Sequence, residues 1–165
     1  MKFLITGSLR SSRGPRALVT LSLLLFFLFL AAHATREASA TGCTPAAVQT
    51  NLYGGPHDEE LSFSGPPPGF LAILEDLHMD LFFFGLLALF LGSILYQVRL
   101  GEGAKRILLY AIFLLPLGYI FARGLSYFYL TSAYFVVPLG IGCYLSLIAA
   151  MLLILRDLYR RESAT

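Results

Sequence analysis

The sequence predicts an all-α membrane protein, with an N-terminal signal peptide followed by a three-helix transmembrane bundle. Three observations carry the prediction. Leu18–Ala32, Leu81–Val98, Ile107–Ala122 and Tyr134–Leu155 contain no Asp, Glu, Lys or Arg. Only 13% of the 165 residues are charged and 57% are hydrophobic, against about 25% charged in a soluble chain. The charges that exist are sorted, basic at one set of helix ends and acidic at the other. A mean hydropathy of +0.74 means that much of the surface meets lipid.

Lys2, Arg10, Arg13 and Arg16 form a basic opening to residues 1–40, and Leu18–Ala32 is an apolar run at the upper length of a signal core. Ala38-Ser39-Ala40 has the small-x-small pattern of a signal-peptidase site, so cleavage before Thr41 is expected. The alternative is an uncleaved anchor, since a helix from Arg16 to Thr35 is just long enough to span. Ala40-Thr41-Gly42-Cys43 also resembles a bacterial lipobox, although the usual leucine is missing and ten residues separate Cys43 from the apolar run. All three readings place residue 41 outside the cytoplasm.

Residues 41–69 read as a short acidic outer loop rich in Pro and Gly, marked by Gly54-Gly55-Pro56 and Gly65-Pro66-Pro67-Pro68-Gly69. Such a segment is too short to bury a core of its own. Residues 70–155 then hold the bundle, with spans near 79–98, 107–129 and 134–155. An amphipathic opening over Phe70–Asp80 precedes the first of them. Residues 99–106 form a polar turn that sends the next helix back antiparallel. Pro116 should bend that helix where a neighbour packs against it. The basic tail is 156–165.

Arg99, Lys105 and Arg106 share one turn, and Arg156, Arg160 and Arg161 follow the last span. Thr41–Asp80 holds six acids and no Lys or Arg. The positive-inside rule therefore places the 99–106 turn and the tail in the cytoplasm. Tyr96, Tyr110 and Tyr159 mark that boundary, and Tyr127, Tyr129 and Tyr134 the outer one. Ala88 with Gly92, Gly118 with Ala122, and Gly142, Ser146 and Ala150 are small residues at four-residue spacing, the pattern of helix–helix seams.

Two clusters are candidates for chemistry. Glu75, Asp76, His78 and Asp80 stand at one end of a span, where a divalent cation could bind, with His57-Asp58-Glu59-Glu60 folding over to add ligands. The commoner use of such a cluster is a solvated acidic helix start, stabilised by the helix dipole. Arg123 is the second candidate, a basic residue at the outer end of an apolar run. Asp80 lies nineteen residues from Arg99, about 28 Å of helix. Arg123 lies seventeen residues from Arg106 on the antiparallel neighbour, about 25 Å. The two should therefore meet as an ion pair, with Asp76 as the next partner.

His78, Gly85, Gly92 and Tyr96 resemble part of the first haem-ligand helix of haem–copper oxidases. Haem b in a bundle takes axial histidines from two helices, and no histidine follows Val98, so no cofactor is expected. Gly101-Glu102-Gly103 follows no strand and is not a nucleotide fingerprint. A net charge of +2 without a basic stripe is too small to imply a nucleic-acid partner, and none is expected. The expected function is a multi-pass, non-enzymatic accessory or scaffold subunit that packs in the bilayer against a membrane-protein partner or its own copies. The rival is an oligomeric transport or cation-handling protein built on the acidic mouth around His78.

Overall fold

A computed structural model of the chain describes residues 13–40, 42–53 and 69–159. They form five α-helices: α1 (Arg13–Ala40), α2 (Pro45–Tyr53), α3 (Phe70–Leu95), α4 (Glu102–Ser126) and α5 (Ala133–Tyr159), with a 3-10 turn over Leu130–Ser132. Among the described residues four helices, all but α2, are long and apolar enough to cross a membrane. The bundle expected with three such helices is thus found with four candidate spans, a correction to the helix count. No Pro or Gly interrupts the chain between Pro15 and Gly42, so α1 runs through the polar stretch 33–39 without a break. Its 28 residues give a length of about 42 Å, more than a bilayer core.

The lengths of α3, α4 and α5 follow from the sequence. The amphipathic opening Phe70–Asp80 and the apolar run beyond it are one continuous helix, which stops at Leu95, slightly short of Val98. Helix α4 passes through a buried Pro116, as lipid permits when a neighbour covers the bend. Small residues do line the contacts. A Cβ on Gly92 would sit 3.2 Å from the Phe113 ring, and one on Gly124 would sit 3.1 Å from Leu77 Cδ1.

Part of the outer loop is helical, a second correction. Thr44 Oγ1 accepts from the Ala47 amide at 3.2 Å, an N-cap with proline at the first helical position. Val48 and Leu52, four apart, are buried by α2. Gly42 (φ +82°) turns the chain from α1 into this short helix, and a Cβ there would collide with that of Ala47. The Tyr53 hydroxyl donates to the carbonyls of Ser126 and Tyr127, and Gln49 Nε2 to that of Leu130. Helix α2 therefore rests on the end of α4 and the turn into α5. His57-Asp58-Glu59-Glu60, Pro66–Pro68, the far N-terminus and residues 160–165 lie outside the described residues.

Helix α1 belongs to the packed body. Its Val19, Leu23 and Leu30 join a core with Phe84, Leu87, Leu91, Ile112, Leu147 and Ile154. Phe26 meets Phe90 edge-on with ring centroids 5.0 Å apart, and Phe29 meets Phe83 at 4.9 Å. At the basic end, Arg16 lies 5.7 Å above the Tyr159 ring, and Thr20 Oγ1 is 3.1 Å from the Tyr159 hydroxyl. Large apolar side chains such as Leu21, Leu25, Phe82, Leu114 and Leu145 face outward, as lipid-facing residues do.

Candidate functional site: a polar cluster closed by four spans

The heptad of α1 that follows its apolar run places His33, Arg36 and Glu37 at helical intervals of three and four, so all three approach one side of the helix. In α3, Asp76 and Asp80 are four apart, and in α4 so are Tyr119 and Arg123. These pairs converge at the bundle end away from the basic turns, and Tyr144 of α5 completes the set.

Arg123 is the hub. Its Nη1 donates to Asp80 Oδ2 at 2.7 Å and lies 3.2 Å from Glu37 Oε1, while Nη2 reaches Asp76 Oδ2 at 3.3 Å. Arg36 Nη2 donates to the other oxygen of Asp76 at 2.9 Å. His33 Nε2 lies 3.0 Å from Asp80 Oδ1, and His33 Nδ1 lies 2.7 Å from the Tyr144 hydroxyl. The carboxylate can only accept, which places a proton on Nε2 and allows an uncharged ring to accept from Tyr144. The Tyr119 hydroxyl donates to Glu37 Oε2 at 2.9 Å.

The side chains of Asp80, His33, Glu37 and Arg123 are 4%, 8%, 11% and 12% exposed. Charges this dry persist only when paired. Arg36 and Asp76, at 56% and 38%, form the wet rim. Phe84 is the floor, 1% exposed, with its ring 5.2 Å from that of His33. A Cβ on Gly140 would lie 3.2 Å from the Tyr119 ring, so the missing side chain is what lets Tyr119 reach Glu37. Among the described residues the buried polar or charged side chains are Glu37, Asp80, Ser126 and Ser146. Both serines bond to carbonyls of their own helices. Past Phe84, toward the basic end, the buried core includes Leu87, Leu91, Ile112, Leu147 and Ile154, and Ser146 is the buried polar side chain among the described residues there.

The structure brings Asp80 and Arg123 together and adds Asp76 as the second carboxylate. It does not gather the four residues considered for a metal. Glu75 and His78 lie on the exposed face of α3, because their positions rotate them away from the one that carries Asp76 and Asp80. Among the described residues no group of three or more His, Cys, Asp or Glu is arranged to hold a metal ion. The histidine of the cluster is His33.

The residues that sequence reasoning missed are His33, Arg36, Glu37, Tyr119 and Tyr144. The first three fall in the expected tail of the signal peptide. Their spacing at 33, 36 and 37 is itself the signal of one helical face. Tyr119 and Tyr144 are tyrosines that fall at neither membrane boundary, which marks a buried hydroxyl in need of a partner.

No curated protein and no solved structure matches the chain. A family model does match residues 42–165, which begin just past α1 and contain α2 through α5. On that match the chain belongs to the family described as Aq_1264_TM, a transmembrane helical domain.

Proposed function

We propose that this multi-pass integral membrane protein is a non-enzymatic accessory or scaffold subunit, whose first helix is retained as a fourth span. The observation that carries the reading is the closure of the polar cluster on itself. Each of the four spans supplies at least one member, and the ionised groups face partners within the chain. A cluster that ends on the apolar floor of Phe84 offers no route for an ion. It holds helices in register, which is the better-attested use of a buried charge network.

Retention of α1 rests on the same observation. Cleavage after Ala40 removes His33, Arg36 and Glu37, which takes His33 from Asp80 and Tyr144 and Glu37 from Tyr119, and leaves Asp80 with Arg123. The family match begins near the place where that cleavage falls, so the cluster, not the match, favours retention. The cation-handling reading gains nothing from the geometry. Asp76 and Asp80, its best ligands, are already held by Arg36 and Arg123.

In this reading the bundle lies with residues 41–69 outside and the 99–106 turn and C-terminus in the cytoplasm. Arg16, Arg99, Lys105 and Arg156 then share the cytoplasmic end, in accord with the positive-inside rule. The outward apolar side chains face lipid and one or more membrane-protein partners.

The test is the mass of the native assembly, purified from its own membranes in mild detergent. A scaffold subunit runs as a complex with at least one different chain. A homo-oligomer that gains stability from added divalent cation would instead support the transport reading.

A further inference from the structure

At the basic end of the bundle a pocket of about 100 Å³ opens between the α3–α4 turn and the last turns of α5. Val98, Arg99 and Leu100 line it from the turn, and Leu153, Arg156 and Asp157 line it from the helix. The local sequence accounts for both walls. The Leu100 amide donates to the Val98 carbonyl at 3.0 Å, which closes a three-residue γ-turn with Arg99 at its apex. No non-glycine residue among those described has a positive φ, so the turn is the common inverse form. Val98 is buried and Leu100 half-buried, which leaves Arg99 exposed between them. On α5, Leu153, Arg156 and Asp157 stand three and four residues apart and share one helical face.

The two ends of the bundle hold their arginines differently. At the acidic end, Arg36 and Arg123 are each bound by carboxylates. At the basic end, Lys105 is engaged within its own turn, by the Tyr96 carbonyl at 3.3 Å and by Glu102 at 3.5 Å. Arg99 and Arg156 have no hydrogen bond or ion pair among the described residues. The dipole of α5 favours a cation in its last turn, which accounts for Arg156 but not for Arg99 beside the same pocket. Asp157 is already engaged within the chain, and its charge disfavours an anion held by one arginine alone. A ligand of this pocket must therefore meet both guanidinium groups.

We propose that this pocket binds the phosphate of an anionic phospholipid, with Arg99 and Arg156 on its free oxygens and Leu100 and Leu153 against its glycerol. Guanidinium forks match phosphate oxygens in pairs. The volume is room for about three groups the size of a water molecule, so a phosphate enters while the acyl chains stay in the bilayer. Tyr96 and Tyr159, both exposed near this end, set the pocket at headgroup depth, where a basic pocket between helices suits an anionic head. A free phosphate offers the same oxygens but leaves the apolar wall unused. No residue of α1 lines the pocket, so the site is independent of the retention of α1 and of any partner subunit.

The experiment is native mass spectrometry of the protein, isolated from its own membranes and released from detergent micelles. Micelles are doped in turn with phosphatidylglycerol, phosphatidylcholine or diacylglycerol, and an undoped sample carries glycerol 3-phosphate in the buffer. Retention of phosphatidylglycerol over the other three probes is the expected result. Arg99→Gln and Arg156→Gln should each weaken that retention about tenfold or more, the loss of one charge-assisted contact. Both side chains are exposed, so the helical circular dichroism of the variants should match that of the parent. Arg106→Gln removes another exposed cation from the same end but lies outside the pocket, and should leave retention unchanged. A loss for Arg106→Gln equal to that for Arg99→Gln would show attraction by the whole basic end and overturn the site. Equal retention of phosphatidylglycerol and phosphatidylcholine would overturn it as well. Retention of glycerol 3-phosphate without phosphatidylglycerol would overturn the lipid source and assign the pocket to a soluble phosphate. Each of these results holds whichever subunits accompany the chain, so a failure here leaves the scaffold reading standing, and the reverse.

Discussion

Arg123→Ala should destabilise the bundle more than Asp80→Ala, although the two residues share one ion pair. The reason is charge. Wild type holds two guanidinium groups against three carboxylates, a net of minus one. Removing Arg123 takes the cluster to minus two and leaves Asp80, 3% exposed, with only His33. Removing Asp80 takes it to zero, and Arg123 keeps Glu37 at 3.2 Å and Asp76 at 3.3 Å. Stranding a buried charge costs about 3–5 kcal/mol, which is the expectation for Arg123→Ala. Asp80→Ala loses hydrogen bonds and strands the His33 Nε2–H, a cost of about 1–3 kcal/mol. The double variant returns to a net of minus one, so its loss should fall short of the sum by about 1–3 kcal/mol. Reversible unfolding in mixed micelles by added dodecyl sulfate, followed by circular dichroism, measures all four corners of the cycle. Strict additivity, or a larger loss for Asp80→Ala than for Arg123→Ala, would refute the charge reasoning.

Three further outcomes are expected. Gly42→Ala places a side chain at φ +82° and against Ala47, so it should cost about 1–2 kcal/mol and speed hydrogen exchange in α2 while the core of α3 stays protected. Gly140→Val pushes into the Tyr119 ring and should cost about 1–3 kcal/mol through overpacking, read in the same unfolding assay. With Cys43 replaced by serine, a cysteine at Ser64 should react with an impermeant thiol reagent on intact cells and one at Gly103 should not. Labelling at Gly103 from outside would reverse the orientation.

Much of this fold is legible in the sequence because bilayers impose length and charge rules on helices. The apolar runs behind α3, α4 and α5 announce themselves, and the antiparallel turn at 99–106 follows from its polarity. The Asp80–Arg123 pairing is legible for a simple reason: helix rise converts residue counts into depth, and depth decides which charges can meet. Residues 33–39 were harder. A polar stretch after a fifteen-residue apolar run reads as the end of a signal peptide, and only a partner in the folded bundle makes His33 and Glu37 worth burying. Those partners are Asp80, Tyr119, Arg123 and Tyr144, spread over three other helices. His78 misled for the complementary reason. It sits beside the right carboxylates in sequence, but two residues from either Asp76 or Asp80 is most of a half-turn around the helix. Helix α2 was hidden by the Gly and Pro signals that follow it, although Thr44-Pro45 is a start signal.

The most direct test of the account is the intact mass of the protein isolated from its own membranes. A retained fourth span predicts a chain that keeps α1, close to the 18.2 kDa of the whole sequence. A mature chain that begins at or near Thr41 would contradict it, and would leave Asp80 and Arg123 without His33 and Glu37.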